Sequence, residues 1–172
     1  MTLSPGIREY ENRFGKPTHN DQELFELLTV GVFQVGLSWK VAASKLPVFR
    51  AVFFNMDINK VAAIDLENID SIVAYPDMIR NRRKISAVIK NARAILQIRE
   101  EFGSFANYMW QFVDDTPKIM EYESSDEIRN TDPLGAKVAK DMKKHGFSFV
   151  GPTVTYLFMK AGGMIQDQVW DK

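Results

Sequence analysis

Gln34-Val35-Gly36-Leu37-Ser38-Trp39 closes an apolar run and carries one of only three tryptophans in the chain. Leu24, Phe25, Leu27, Leu28, Val30 and Val32 precede it, and Val41, Ala42 and Ala43 follow it. That spacing predicts two buried helical stretches on either side of a glycine-containing bend. An indole at such a bend serves as core or as a stacking surface, and a tryptophan inside an apolar run is core far more often. Gln34 and Ser38 are polar among residues that favour burial, so each needs a partner, from a pocket wall or from backbone carbonyls.

Composition sets the outer limits. With 172 residues, 45% of them hydrophobic, the chain can bury one substantial core or two small lobes without a covalent staple. It has no cysteine, which excludes disulfides, thiolate nucleophiles and cysteine-based zinc sites and fits a cytoplasmic protein. No apolar run reaches the length of about 18 residues expected of a membrane span. Met1 to Tyr10 lacks the apolar centre of a signal peptide, so the chain reads as soluble and intracellular.

The 22 basic and 22 acidic residues cancel, but they are sorted along the chain. Arg80, Arg82, Arg83, Lys84, Lys90 and Arg93 form a stretch without an acid, and Lys137, Lys140, Lys143 and Lys144 form a second group broken only by Asp141. Acids collect between Asp114 and Asp132. Such sorting can present a positive face to a phosphate backbone; either cluster alone is more simply a solvated helix face.

The rest of the chain reads as an all-α fold of many short helices in a single domain over residues 1–172. An irregular arm occupies about 1–20, with Tyr10, Asn12 and Phe14 as contact groups. Asn20 or Asp21, Pro47, Asp57 and Asp65 each open a short helix. The longest periodic helix runs from Ile79 to Phe102, and cations crowd its first half, against the helix dipole. Bound phosphates would relieve that conflict. An aromatic helix follows from Phe105 to Val113, then a polar loop from Thr116 to Asp132. Only Ser148 to Val154 alternates like a strand, and it is too short to found a sheet.

The second informative stretch is a helix, a hairpin and a helix over about 137–162. Val138 to His145 is cationic, Gly146-Phe147-Ser148-Phe149-Val150-Gly151 is a glycine-bracketed turn, and Pro152 starts the apolar helix Val154 to Ala161. Backbone N–H groups at such a turn, beside a helix N-terminus, suit a phosphate oxygen. The same turn also serves simply to pack two helices.

Taken together these pieces carry a family resemblance. Asn12, Phe14-Gly15, Pro17, Leu24-Phe25, Gln34, Gly36-Leu37-Ser38-Trp39, Lys60-Val61-Ala62, Ile79-Arg80-Asn81-Arg82, Lys84-Ile85, Asn91-Ala92, Gly146-Phe147, Phe149-Val150-Gly151 and Asp167 occur in order along nearly the whole chain. In this combination the sequence resembles the bacterial 3-methyladenine DNA glycosylases of the constitutive type, in the helix-hairpin-helix glycosylase superfamily. The resemblance implies a helix-hairpin-helix fold with short helices around a base-binding cleft. It implies base-excision repair: double-stranded DNA is bent, an alkylated purine is flipped out, and its N-glycosidic bond is hydrolysed. Extrusion costs a few kcal/mol, least for a damaged base. A purine methylated at N3 is cationic and leaves readily, so an aromatic wall for cation–π stacking carries much of the recognition. By this resemblance Trp39 is the wall, with Gln34, Ser38, Tyr10, Phe14 and Gly31 in the base pocket. Leu37 fills the space left by the base, and Arg80, Arg82, Lys144, Gly146, Phe147, Ser148 and Gly151 hold the DNA. The protein is expected to act as a cytoplasmic monomer.

The chain departs from the family at three points. The pocket glutamate that reads methylated adenine falls on Gly31, and a pocket aromatic from the N-terminal arm falls on Glu9. The structural zinc loses its ligands: there is no cysteine, one histidine position holds Tyr10 and the other, after Asp167, holds Gln168. No metal or other cofactor is expected. For the missing carboxylate, Glu9 or Glu11 is the candidate replacement, and Asp167 and Asp171, near the C-terminus, are candidates to stabilise an oxocarbenium-like sugar. The alternative is a catalytically impaired paralogue that binds DNA or damage without turnover.

Overall fold

In a computed structural model, residues 4–170 are described. Ten α-helices and two strands follow in order among them: α1 Pro5–Arg13, α2 Asp21–Gln34, α3 Trp39–Ser44, α4 Leu46–Val52, α5 Ile58–Ala62, α6 Asp70–Ala74, α7 Arg82–Phe102, α8 Phe105–Trp110, β1 Lys118–Tyr122, α9 Pro133–Lys144, α10 Pro152–Ala161 and β2 Ile165–Val169. The fold is mostly helical, as the periodicity predicts.

The apolar run before the bend becomes α2, buried from Leu24 to Phe33 and so the centre of the core. Asn20 caps it, its side chain accepting from the Glu23 N–H at 2.9 Å. Full burial of Leu24, Phe25, Leu28 or Phe33 contributes about 1.5–3 kcal/mol apiece. Gly36, at φ 79°, turns the chain where a side chain would be strained. Ser38 then caps α3, accepting from the Val41 N–H at 3.2 Å. Lys84, only 5% exposed, donates to the Phe33 carbonyl at 3.0 Å and to the Val35 carbonyl. An ammonium on the last carbonyls of α2 suits the helix dipole, and burial lowers its pKa. One of the six clustered cations therefore works inside the fold. Arg93 is a second, donating to the Ala62 and Ile64 carbonyls at 2.9 and 2.7 Å.

Several expected boundaries move. The arm is not irregular: Ser4 accepts from the Ile7 N–H and Pro5 takes a first-turn position, so α1 forms directly. Asp65 does not open a helix but accepts from the Glu67 N–H in a turn at 3.0 Å, and α6 waits until Asp70. The long helix starts at Arg82, behind an Asn81 cap, rather than at Ile79. Inside the expected polar loop, β1 pairs in parallel with β2, Lys118 opposite Ile165 and Tyr122 opposite Val169. Neither strand alternates cleanly in polarity, so the period-2 signal is absent. The pairing is set by the approach of two distant segments.

Candidate functional site

Tyr10, Glu11, Phe14, Gln34, Trp39 and Leu157 line a cavity of about 300 Å³. Helix α1 supplies Tyr10 and Glu11, with Phe14 at its C-cap; α2 ends on Gln34, α3 begins on Trp39, and α10 contributes Leu157. The Tyr10 ring lies 5.7 Å from Phe14, edge to face, and 6.0 Å from Trp39 at 32°. Three aromatic rings thus form a cage, and the only charged lining residue is the acid Glu11. Ring faces and a carboxylate both favour a flat cation. Burial raises the Tyr10 pKa, so its hydroxyl stays protonated. The buried Gln34 Oε1 has no partner among the described residues, which leaves an acceptor beside the cage for a ligand donor. Lys40 approaches the Trp39 ring at 5.8 Å.

A second, polar cavity of about 560 Å³ is lined by Arg82, Arg83, Ser86, Lys90, Lys143, Ser148, Phe149, Val150 and Gly151. It combines the start of α7, the end of α9 and the glycine-bracketed turn. Asn91 fixes that turn, accepting from the Ser148 N–H at 2.7 Å and donating to the Ser148 carbonyl at 3.2 Å. Phe149 sits at φ 60° under the Arg83 guanidinium, 5.4 Å from its ring. Four cations line this groove and no acid does. Such a groove suits a phosphate backbone.

The sequence-derived candidates divide between these places. Tyr10, Phe14, Gln34 and Trp39 meet in the cage. Ser38 is exposed and spends its hydroxyl on the α3 cap, and Gly31 is buried within α2 without lining the cavity. Leu37 is 41% exposed at the bend. Arg82, Ser148 and Gly151 line the cationic groove, where Arg82 also pairs with Asp70 at 2.5 Å. Arg80 and Lys144 are exposed outside its lining, and Gly146 lies in a neighbouring hollow with Lys90 and His145. Phe147 is a correction: its ring is buried and stacks on Phe105 at 5.5 Å, so it anchors the turn from below.

Glu9 is a larger correction. It points away from the cage toward Arg50 and Arg13, because the residue before Tyr10 falls on another helix face. Its pKa is lowered, first by its hydrogen bond to Arg50. That leaves Glu11 as the carboxylate at the cage. Asp167 is also committed elsewhere: it pairs with Lys160 at 2.8 Å and lines neither the cage nor the groove. Asp171 lies outside the described residues. Leu157, Arg83, Lys90 and Lys143 carry no site signal in the sequence beyond charge or hydrophobicity, since only the folded arrangement of α7, α9 and α10 selects them, whereas Phe149 belongs to the glycine-bracketed turn already singled out.

The zinc site of the family does not fit the residues present. Tyr10 stands in the cage wall, Gln168 is exposed on β2, and the chain has no cysteine. No group of three or more potential ligands gathers among the described residues.

The model of the methyladenine glycosylase family matches residues 3–171. The chain is 36% identical over 163 residues to DNA-3-methyladenine glycosylase 1 of Escherichia coli (strain K12), covering 95% of this chain and 87% of that one. It is 30% identical over 165 residues to the DNA-3-methyladenine glycosylase of Haemophilus influenzae, covering 96% and 89%. Among solved structures, it aligns with a tyrosine-to-phenylalanine variant of 3-methyladenine DNA glycosylase I in complex with 3-methyladenine. That match has a TM-score of 0.88 at 28% identity and covers 95% of this chain and 89% of the other.

Proposed function

Since the chain belongs to the methyladenine glycosylase family, it is a DNA base-excision repair glycosylase, and we propose that it selects cationic N3-alkylated purines with a carboxylate moved to Glu11. The observation that carries this reading is the cage: three aromatic rings, one unpartnered acceptor and a single charge, which is negative.

The groove of Arg83, Lys90 and Lys143 holds the DNA backbone, and the exposed Leu37 fills the gap left by the extruded nucleotide. Tyr10, Phe14 and Trp39 enclose the base. Its positive charge draws it onto the ring faces, where a neutral purine gains only stacking. Cleavage breaks the bond between C1′ and the base nitrogen. The electron pair leaves with the base, which becomes neutral, and water adds at C1′ with loss of a proton. During this step positive charge moves from base to sugar, so the cation–π contact weakens as the bond breaks while the stacking is kept, and the wall acts more as a selector than as the source of the rate. Glu11, exposed at the cavity, keeps a negative charge near both base and sugar as the charge migrates. The chain needs no metal for this chemistry and acts as a monomer.

The experiment is base release from methylated duplex DNA, quantified by mass spectrometry, for the wild type and Trp39→Ala. Wild-type release of 3-methyladenine above the spontaneous rate, reduced about 100-fold by the substitution, is expected. Gly31 in the family's glutamate position favours one other outcome: tight, salt-sensitive duplex binding with no base released by a folded protein, which would replace catalysis by damage binding.

A further inference from the structure

Behind the cage wall lies a cluster of charges that does not line the cage. Arg50 of α4 donates from Nη1 to Glu9 Oε1 at 2.8 Å and from Nη2 to Glu9 Oε2. The same guanidinium donates from Nε to Glu26 Oε2 at 2.8 Å and from Nη2 to Glu26 Oε1 at 3.1 Å. Arg13 completes the square, its Nη1 reaching Glu26 Oε1 at 2.8 Å and Glu9 Oε2 at 3.1 Å. Glu26 has only 8% of its side chain exposed, so these charges are partly desolvated and the bidentate geometry is strong.

The cluster spans three helices, and α1 carries two adjoining pairs spaced four residues apart. Glu9 and Arg13 meet the network, while Tyr10 and Phe14 meet the cage. Successive residues on a helix differ by about 100°, so fixing one face sets the direction of the next. Gly6 adds a second point of contact, since a Cβ there would lie 2.4 Å from the Ala43 carbonyl. A contact that close allows α1 to lie against α3; the buried Tyr10 and the charges on the next face then constrain its twist.

We infer that Arg50 is a positioning residue for lesion recognition: by holding Glu9 and Glu26 together it fixes the rotation of α1 and keeps Tyr10 and Phe14 facing Trp39. The base-binding half of this statement rests on the proposed function; the mechanical half does not.

The test compares wild type, Arg50→Met, Arg50→Lys and Glu9→Gln as full-length protein in two measurements, backbone hydrogen exchange and titration with free 3-methyladenine in its protonated, cationic form. In Arg50→Met, amides of α1 should exchange at least about tenfold faster while those of α7 keep their wild-type rate. Affinity for 3-methyladenine should fall about tenfold, as expected for a displaced binding wall. Arg50→Lys should recover only part of both effects, because an ammonium keeps the charge but lacks the planar fork that pairs with each carboxylate through two N–H groups. A merely structural role would lower global stability without this local pattern. Wild-type exchange of α1 in Arg50→Met, or a freed α1 with unchanged base affinity, overturns the inference. If Arg50→Met does not fold, Glu9→Gln, which keeps the Arg50–Glu26 pair, must show the same pattern at smaller size. A wild type that binds no 3-methyladenine would sink the functional reading, while the exchange measurement still decides whether Arg50 holds α1.

Discussion

The two cavities of this protein are built on opposite principles. The cage around Trp39 is apolar, with one acid and no cation in its lining; the groove beside the glycine-bracketed turn is polar, with four cations and no acid. A groove of that kind holds any phosphate backbone and cannot tell a damaged base from a sound one. A cage of the other kind gains little from DNA as such and discriminates by charge and shape. On the proposed reading, separating them lets the protein bind duplex broadly and choose narrowly.

Removing the cage's main face should therefore have the largest effect and a selective one. Trp39→Ala is expected to cut kcat/KM for 3-methyladenine release by about 100-fold, corresponding to about 2–3 kcal/mol of lost cation–π and stacking contact. Its affinity for undamaged duplex, measured by anisotropy, should stay near wild type. The groove should show the reverse. Lys143→Ala or Lys90→Ala should weaken damaged and undamaged duplexes alike and reduce the slope of log K against log salt by about 1. Neither substitution should change the choice of base; if it did, the division of labour would be wrong.

A smaller effect is expected from Glu11→Gln, which keeps shape and removes the charge. Release of cationic lesions should fall by about fivefold to tenfold, whereas affinity for undamaged duplex should be unaffected. The acid limb of stability gives a further contrast. Arg50, then Arg13, hold the Glu9 carboxyl below its ordinary value of 4.5, so its contribution is fully present above about pH 4.5. It is lost as pH falls through the lower folded value. Glu9→Gln should flatten that loss in acid unfolding curves. Gly31→Ala stands last. A Cβ there meets only Val154 Cγ1 at 3.8 Å, and alanine suits a helix interior better than glycine by about 1 kcal/mol. Tm should rise by about 2–4 °C with base binding unchanged. Altered base release would place Gly31 in the site after all.

The sequence exposes these regions unequally. Helix α2, the Gly36 bend and Trp39 are legible because a strong apolar period ends on polar residues and glycine, and each local signal agrees with the tertiary result. The strand pair was hidden because β1 and β2 lack alternation and lie more than forty residues apart in the chain. Charge clusters misled in a specific way. Lys84 and Arg93 look like members of a DNA-binding stripe but satisfy helix-end carbonyls, whereas Lys143 and Lys90 come together only when α7 packs beside α9. The choice between Glu9 and Glu11 was likewise undecidable from spacing alone. The two carboxylates are neighbours in sequence, and which one reaches the cage depends on the rotation of α1, set by Arg50 from a distant helix.

The central claim is that the cage selects by charge. It is tested most directly by offering one duplex that carries both 3-methyladenine, cationic while attached, and hypoxanthine, a neutral purine lesion, and measuring the bases released by the wild-type protein. Release of 3-methyladenine with hypoxanthine retained is the predicted result. Comparable release of both, or release of hypoxanthine alone, would contradict it.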